Sequence, residues 1–563
     1  MYNPIKEAET ALRALILSAA GRAIEEGALP QAQLPEFTVE IPNDTRFGDF
    51  ASNAAMVWAR AFRQSPQKIA DALLGRFDFS GSPFLRAEKA GPGFLNFFLN
   101  PGWFGSVVGE ILQDGEAYGC SDYGAGEKVM VEFVSANPTG PMHMGNARGG
   151  AIGDSLAGAM QAAGYDVTRE FYVNDAGNQI EKFGLSLYTR YLQLYQGEET
   201  VPFPEDGYHG DDIRRRAKEF ADIHGDRYLS AEPGQAQQAL IDYALPRNIE
   251  GLREDLLRYR ISYDNWFHES TLHESGAIKE AIGRLGERGL TYEKEGALWY
   301  KATAFGGEKD EVLIRQNGNP TYFAADIAYH YNKFAVRGFS RVINIWGADH
   351  HGHVARLKGA MDAIGLDGGR LDILLMQLVR LLKNGEPYRM SKRTGKSVTL
   401  ADIIEEIPID AARFFFNMRE AGSTLDFDLD LAVEQSSQNP VYYVQYAHAR
   451  ICSLLKKLEA EGTAFSPQPG DLQQLGAPEE RELIRLLARF PNEIIEVARS
   501  YDPARLTHYA VSLASLFHKY YTACRVAGEE RGLMQARIAL CLAARQTLRN
   551  LLAILKVEAP EMM

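Results

Sequence analysis

The chain has 563 residues, 45% apolar and 24% charged, the make-up of a soluble enzyme with length for two to four domains. Its net charge of −14 argues against a protein that coats nucleic acid. The charge is uneven, however: Val441–Met563 holds 15 Lys and Arg against 13 Asp and Glu, and local basic patches on an acidic body can still grip a large RNA. Cys120, Cys452, Cys524 and Cys541 form no C-x-x-C pair, which argues against a zinc ribbon or a disulfide framework and favours a reducing cytoplasm. No run approaches the roughly 18 apolar residues that span a bilayer.

Residues 1–115 read as a separate α+β domain. Glu7, Glu9, Arg13, Glu25 and Glu26 make Ile5–Glu26 an amphipathic helix rather than a signal peptide. A strand at Phe37–Pro42 and the loop Asn43–Phe50 precede a helix at Ala51–Phe62, whose start Asp49 would cap if the Gly48–Asn53 run has no partner. Another helix follows Ser65-Pro66, then strands at Phe84–Ala87 and Gly93–Leu99. Gly115, Gly119, Gly124 and Gly126 punctuate a linker into a second domain, residues 116–420.

The second domain opens with Lys128–Val134, a run of β-formers suited to a strand buried in a parallel sheet. Pro138, Gly140 and Pro141 force an irregular loop. A small-residue helix from Ala147, closed by Gly164, and a strand at Tyr165–Val173 complete the start of a nucleotide-binding α/β unit. His143-Met144-Gly145-Asn146 falls where the helix N-terminus offers N–H groups to a phosphate, with Gly145 admitting close approach. Asn174–Asn178 ends the strand and caps the next helix. Residues 196–261 read as a charged helical insertion in which Arg214, Arg215 and Arg216 form a solvated face.

Further on, Tyr322 and Asp326 are four apart and share a face if that turn is helical. Arg341–Trp346 is a strand, and Gly347-Ala348-Asp349-His350-His351-Gly352-His353 lies just past its carboxyl end, where open α/β sheets bind ligands. Three histidines so close on a turn seldom converge on one ion, so no metal site is expected. Asn384-Gly385 signals a hairpin that delivers Arg389-Met390-Ser391-Lys392-Arg393. Residues 421–563 form a third domain. Asp426–Asp430 connects to it, and the pattern is helical from Asn439 to the end.

Ser135-x-Asn137-Pro138-Thr139-Gly140-Pro141-x-His143-x-Gly145-Asn146-x-Arg148-Gly149 resembles the first signature of class I aminoacyl-tRNA synthetases, in the form carried by arginyl-tRNA synthetases. Asn146 stands where that signature usually has a second histidine. Roughly 250 residues later, Arg389–Arg393 resembles the second signature, Lys-Met-Ser-Lys-Ser, with arginine at its first and last positions. Gly48–Asn53 resembles part of the family's N-terminal domain, which contacts the tRNA elbow. Asn439–Arg450 resembles the opening helix of its anticodon-binding domain. The likeness covers nearly the whole chain. It implies a Rossmann-type class I catalytic domain with an N-terminal α+β domain and a C-terminal all-helical anticodon-binding domain.

The resemblance further implies ATP-dependent ligation of L-arginine to its tRNA through an arginyl-adenylate, with release of AMP and pyrophosphate. Mg²⁺ would come with ATP, no protein-bound zinc is expected, and the enzyme would be a cytoplasmic monomer off the membrane. His143, Asn146, Lys392 and Arg389 take the catalytic positions. Gly145, Gly347, Asp349, Met390 and Ser391 join His143, Asn146 and Lys392 around ATP. A guanidinium is permanently charged and presents a fork of donors, so burying it demands carboxylates. Glu132 and Asp326 match those positions, Tyr322 adds a hydroxyl, Asn137 takes the α-amino or carboxylate end, and His350 falls where the family commonly has glutamine. Asn53, Tyr442, Tyr446 and Arg450 match tRNA-contacting positions. Three other readings are weaker. A cysteine-specific synthetase expects a zinc–thiolate site; a catalytically silent tRNA-binding protein has only Asn146, Arg389 and Arg393 in its favour; and an oxidoreductase lacks G-x-G-x-x-G after a strand.

Overall fold

The computed structural model describes residues 2–388, 398–468 and 470–563. At its centre is a five-stranded parallel sheet: β1 (Lys128–Glu132), β2 (Asp166–Val173), β3 (Asn265–His268), β4 (Arg341–Gly347) and β5 (Leu371–Met376), in the order β5-β4-β1-β2-β3. Val129, Met130 and Val131 are all fully buried, as expected of a strand covered on both faces. Val129 and Val131 pack with Ala147, Ala151 and Leu156 of the helix Met144–Ala162, while Met130 packs with Val342, Leu357 and Met361 on the opposite side. The helix comes close because Gly153 has no side chain: a Cβ there would stand 2.2 Å from Phe133 Cγ. Strand order reverses between β1 and β4, which opens a crevice at their carboxyl ends.

The N-terminal domain is a four-stranded antiparallel sheet backed by helices Pro4–Glu25 and Pro66–Leu74. Here the structure corrects the sequence reading of Asp49. Phe50–Ser52 is a strand, with Phe50 opposite Phe97, and the helical turns begin only at Ala54. Asp49 instead accepts hydrogen bonds from Leu99 N (2.9 Å) and from Arg485 Nε of the C-terminal domain (2.6 Å). The Gly48–Asn53 run is therefore a contact between domains.

Helices Asn178–Gln196, Asp211–His224 and Pro233–Arg258 share a core of Phe183, Leu187, Tyr191, Ile213, Phe220 and Leu240. This helical unit thus includes the helix Asn178–Gln196, ahead of residue 196. The Asn174–Asn178 run holds the N-cap of that helix, Gly177, and two residues before it stands Asp175. Its carboxylate accepts from Ser270 N and Ser270 Oγ and sits 2.7 Å from His268 Nδ1, tying the end of β2 to the end of β3. Arg214 pairs with Glu198, and Arg215 and Arg216 with Glu219, on the unit's surface.

Asn384 (φ 53°) and Gly385 (φ 75°) form the hairpin between Val379–Lys383 and Glu386–Pro387. Val379–Lys383 also pairs in parallel with Leu425–Asp428. Four long helices follow: Pro440–Ala460, Pro478–Ser500, Ala504–Ala523 and Arg531–Leu555. The last is, by length and composition, apolar enough to cross a membrane, contrary to the sequence reading, yet 67% of its most apolar window is buried in the fold.

A buried ion cluster joins these parts. Asp154, on the helix Met144–Ala162, accepts from Arg169 Nε (3.1 Å) and from Arg413 Nη2 (2.6 Å). Arg413 is fully buried and also donates to Tyr259 O (3.0 Å) and to Leu555 O (2.7 Å), at the end of the last long helix. Arg413→Met leaves a buried carboxylate short of one partner and strands two carbonyls. It should cost about 3–5 kcal/mol in denaturant unfolding, and Arg169→Met should cost less.

Candidate active site

At the switch point β1, β2, β4 and helix Tyr322–Tyr331 enclose a cavity of about 790 Å³. Glu132, Asn137, Tyr322, Asp326, Gly347, Asp349 and His350 all line it. Tyr322 and Asp326 face it together because Thr321 caps that helix and starts it at Tyr322, which puts the two residues one turn apart. Asn137 and Tyr322 are exposed at the cavity, and His350 stands on an exposed turn beside Trp346.

The wall after β1 is strained. Val134 (φ 69°) and Ser135 (φ 40°) are consecutive left-handed residues, a conformation costly for a β-branched side chain. The bend turns Ser135 Oγ back to donate to Glu132 Oε1 (3.1 Å) and to accept from Tyr172 N (3.1 Å). The Tyr172 hydroxyl donates to Glu269 Oε2 (2.8 Å), and burial pushes the Glu269 carboxyl above the usual carboxylate range.

Two polar chains fix the two carboxylates differently. Asp326 Oδ2 accepts from His353 Nε2 (2.8 Å), whose Nδ1 accepts from Arg356 Nε (2.6 Å), and Arg356 is in turn held by Glu311. With Nδ1 accepting, His353 is the neutral Nε2–H tautomer. Asp326 keeps about a third of its side-chain surface exposed. Glu132, by contrast, is 5% exposed, and its Oε2 lies 2.5 Å from Nζ of the fully buried Lys333. Lys333 also donates to Asn344 Oδ1, Asn344 Nδ2 donates to His330 Nε2, and His330 Nδ1–H donates to Asp326 O. Burial holds His330 well below the ordinary histidine value, so it stays neutral.

His143, Gly145 and Asn146 form the first turn of the helix Met144–Ala162, beside this cavity rather than in its wall. His143 is the N-cap, and its N–H donates to Asn146 Oδ1 (2.9 Å). Met142–Met144 pairs with Val398–Leu400 through Leu400 N to Met142 O (2.9 Å) and Met144 N to Val398 O (3.3 Å). Arg389, Met390, Ser391, Lys392 and Arg393 lie outside the described residues. Arg148 of the first signature is fully buried and donates to Gln377 O and Glu420 O; burial pulls its pKa down to about 10. His350, His351 and His353 do not converge, since His353 is committed to Asp326 and Arg356. Among the described residues no group of three or more His, Cys, Asp or Glu could hold a metal ion.

On the C-terminal domain, the Tyr442 and Tyr446 rings stack 6.4 Å apart. Arg450 lies 4.1 Å over Tyr521, and His518 packs against Tyr446. Asn53 sits on the N-terminal domain, where its Oδ1 accepts from Thr38 N (2.9 Å).

Sequence reasoning named Ser135 and His353 only within their motifs, without these contacts, and it missed Lys333, Asn344, His330 and Tyr172. Asn344 was detectable as a polar residue in the middle of the buried run Val342–Ile345. Lys333 gave no such signal, because a lysine at a helix end normally reads as solvated.

The doubly wound sheet, with its ligand crevice and both signature segments, defines a class I aminoacyl-tRNA synthetase. Three family models match in order: arginyl tRNA synthetase N terminal domain at residues 10–99, tRNA synthetases class I (R) catalytic domain at 107–221 and 250–451, and DALR anticodon binding domain at 444–563. The arginine–tRNA ligase of Ruminiclostridium cellulolyticum is 52% identical and that of Caldanaerobacter subterraneus subsp. tengcongensis 54%, each over the full length of both chains. The fold is similar to that of Thermus thermophilus arginyl-tRNA synthetase, with a TM-score of 0.73 at 23% identity over 98% of this chain and 100% of that one. The chain belongs to the arginyl-tRNA synthetase family.

His353→Leu frees the Asp326 carboxylate to rotate without removing it. The variant should raise KM for arginine about tenfold with a smaller change in kcat, measured by steady-state aminoacylation.

Proposed function

We infer that this chain joins L-arginine to its tRNA in two steps. The arginine carboxylate attacks the α-phosphate of ATP, forming the adenylate and releasing pyrophosphate. A ribose hydroxyl at the tRNA 3′ end then attacks the activated carbonyl and releases AMP. Both steps depend on positioning and charge neutralisation rather than on a covalent enzyme intermediate. The observation that carries this reading is the cavity at the switch point, which Asp326 and Tyr322 line from one helix, with Asp326 about a third exposed.

In this reading Glu132, Asp326 and Tyr322 take the guanidinium, while Asn137 and His350 face the amino-acid end. His143 and Asn146 donate hydrogen bonds to phosphate as charge builds on it, Gly145 admits close approach, and Gly347 and Asp349 border the nucleotide. Met390 and Ser391 border the nucleotide too, and Lys392, with Arg389 as a second charge, neutralises the departing pyrophosphate. Mg²⁺ enters with ATP, held largely by phosphates and water. Tyr442 and Tyr446 offer stacking faces to unpaired anticodon bases, Arg450 a charge for the backbone, and Asn53 a contact at the tRNA elbow. Residues 1–115, 116–420 and 421–563 divide these tasks. The expectation of a cytoplasmic monomer rests on the family resemblance.

Pyrophosphate exchange into ATP, run with each amino acid with and without tRNA, tests the reading. Exchange is expected with arginine in the presence of its tRNA, and Asp326→Ala should lose about 3–5 kcal/mol of kcat/KM for arginine. Exchange driven by a different amino acid would overturn the assignment.

A further inference from the structure

The Arg214–Arg216 run has no task in the reaction just described, and its three members are not alike. Arg214 and Arg215 keep 45% and 63% of their side chains exposed, whereas Arg216 keeps 15%. The Arg216 guanidinium donates to Glu219 Oε2 (2.8 Å), to Arg247 O (3.3 Å) and, through Nε, to Asn248 Oδ1 (3.0 Å). Asn248 Nδ2 in turn donates to Pro138 O (3.0 Å), in the loop of the first signature. A guanidinium only donates and a proline carbonyl only accepts, so the two partners fix which end of the amide faces which. The loop has little else to hold it. Pro138 and Pro141 have no N–H, and the Asn248 bond is the one hydrogen bond among the described residues that reaches residues 136–141. This loop joins the strained bend at Val134 and Ser135 to the helix start at His143, with Pro138 and Thr139 buried. The helical unit lies against it, since a Cβ on Gly140 would stand 4.0 Å from Asp212 Oδ2.

We propose that Asn248 is a positioning residue for adenylate formation: a bridge through which the helical unit, braced by Arg216, sets the Pro138 loop and with it the helix start at His143. The inference rests on the arginine–tRNA ligase reading, in which that helix start meets ATP. An amide is required at this place because it accepts from the guanidinium and donates to the carbonyl at once. Aspartate keeps the shape and the Arg216 bond but sets a second acceptor against Pro138 O, which pushes the loop away. Shifting a reacting group by about 1 Å costs roughly 100-fold in rate, so a small displacement of this loop is felt at the chemical step.

The test is arginine-dependent pyrophosphate exchange into ATP by the full chain with tRNA for arginine, alongside thermal unfolding. Asn248→Asp should lower kcat about 30-fold, with KM for arginine and for ATP within about threefold of the parent and the unfolding midpoint unmoved. Adding Arg216→Met should cost no further kcat, because Arg216 acts through the amide. Any fall beyond about threefold that is confined to kcat supports the proposal. A smaller fall, a loss carried by either KM, a fall that follows the unfolding midpoint down, or a further loss in the double variant overturns it. Should Asn248→Asp not fold, Asn248→Ala, which removes the bridge without adding an acceptor, is judged by the same limits. Failure of the functional reading looks different: the parent chain itself would show no exchange with arginine.

Discussion

The Asp154 carboxylate, buried between Arg169 and Arg413, is the constraint on which the arrangement of this chain depends. Asp154 is on the helix that begins at His143, Arg169 is on β2, and Arg413 reaches the backbone at Tyr259 and Leu555. One anion thus fixes the helix that begins at His143, the sheet, the end of the helical unit and the end of the C-terminal bundle. A buried pair of this kind adds little net stability over an apolar substitute. What it supplies here is register. The helix dipole and the N–H groups at His143 point at the crevice because the far part of that helix is held by charge.

The site built on this frame shows where folding free energy is diverted to chemistry. Val134 and Ser135 accept left-handed backbone so that Ser135 can hold Glu132, and the π-turn at Asn332–Val336 brings a lysine under the sheet. The His353–Arg356–Glu311 chain fixes Asp326 while leaving it open. Pairing the second signature's trailing segment, Val398–Leu400, with Met142–Met144 ties the two signature regions together. Activation of an amino acid requires its carboxylate, the α-phosphate and the departing pyrophosphate to be held together. The cavity and the helix start lie side by side at one switch point.

Much of this was legible in the sequence. A run of β-formers marked β1, strands were expected at Tyr165–Val173 and Arg341–Trp346, and the four-residue spacing of Tyr322 and Asp326 predicted their shared face. Asn384-Gly385 specified its hairpin through its need for positive φ. Other features were not legible, for physical reasons. Phe50–Ser52 is a strand because Phe50 pairs across the sheet with Phe97, a long-range contact that overrides local helix preference. The partners of Asp175, Ser270 and His268, are distant in sequence, so its tie between two strand ends left no local pattern. The Glu132–Lys333 pair joins residues far apart in the chain, and no local pattern separates a buried lysine from a solvated one.

The most direct test of this account is a structure of the chain with L-arginine bound. The account predicts the guanidinium on Asp326, Tyr322 and Glu132, in the cavity at the switch point. A guanidinium bound away from Asp326 and Tyr322 would contradict the account.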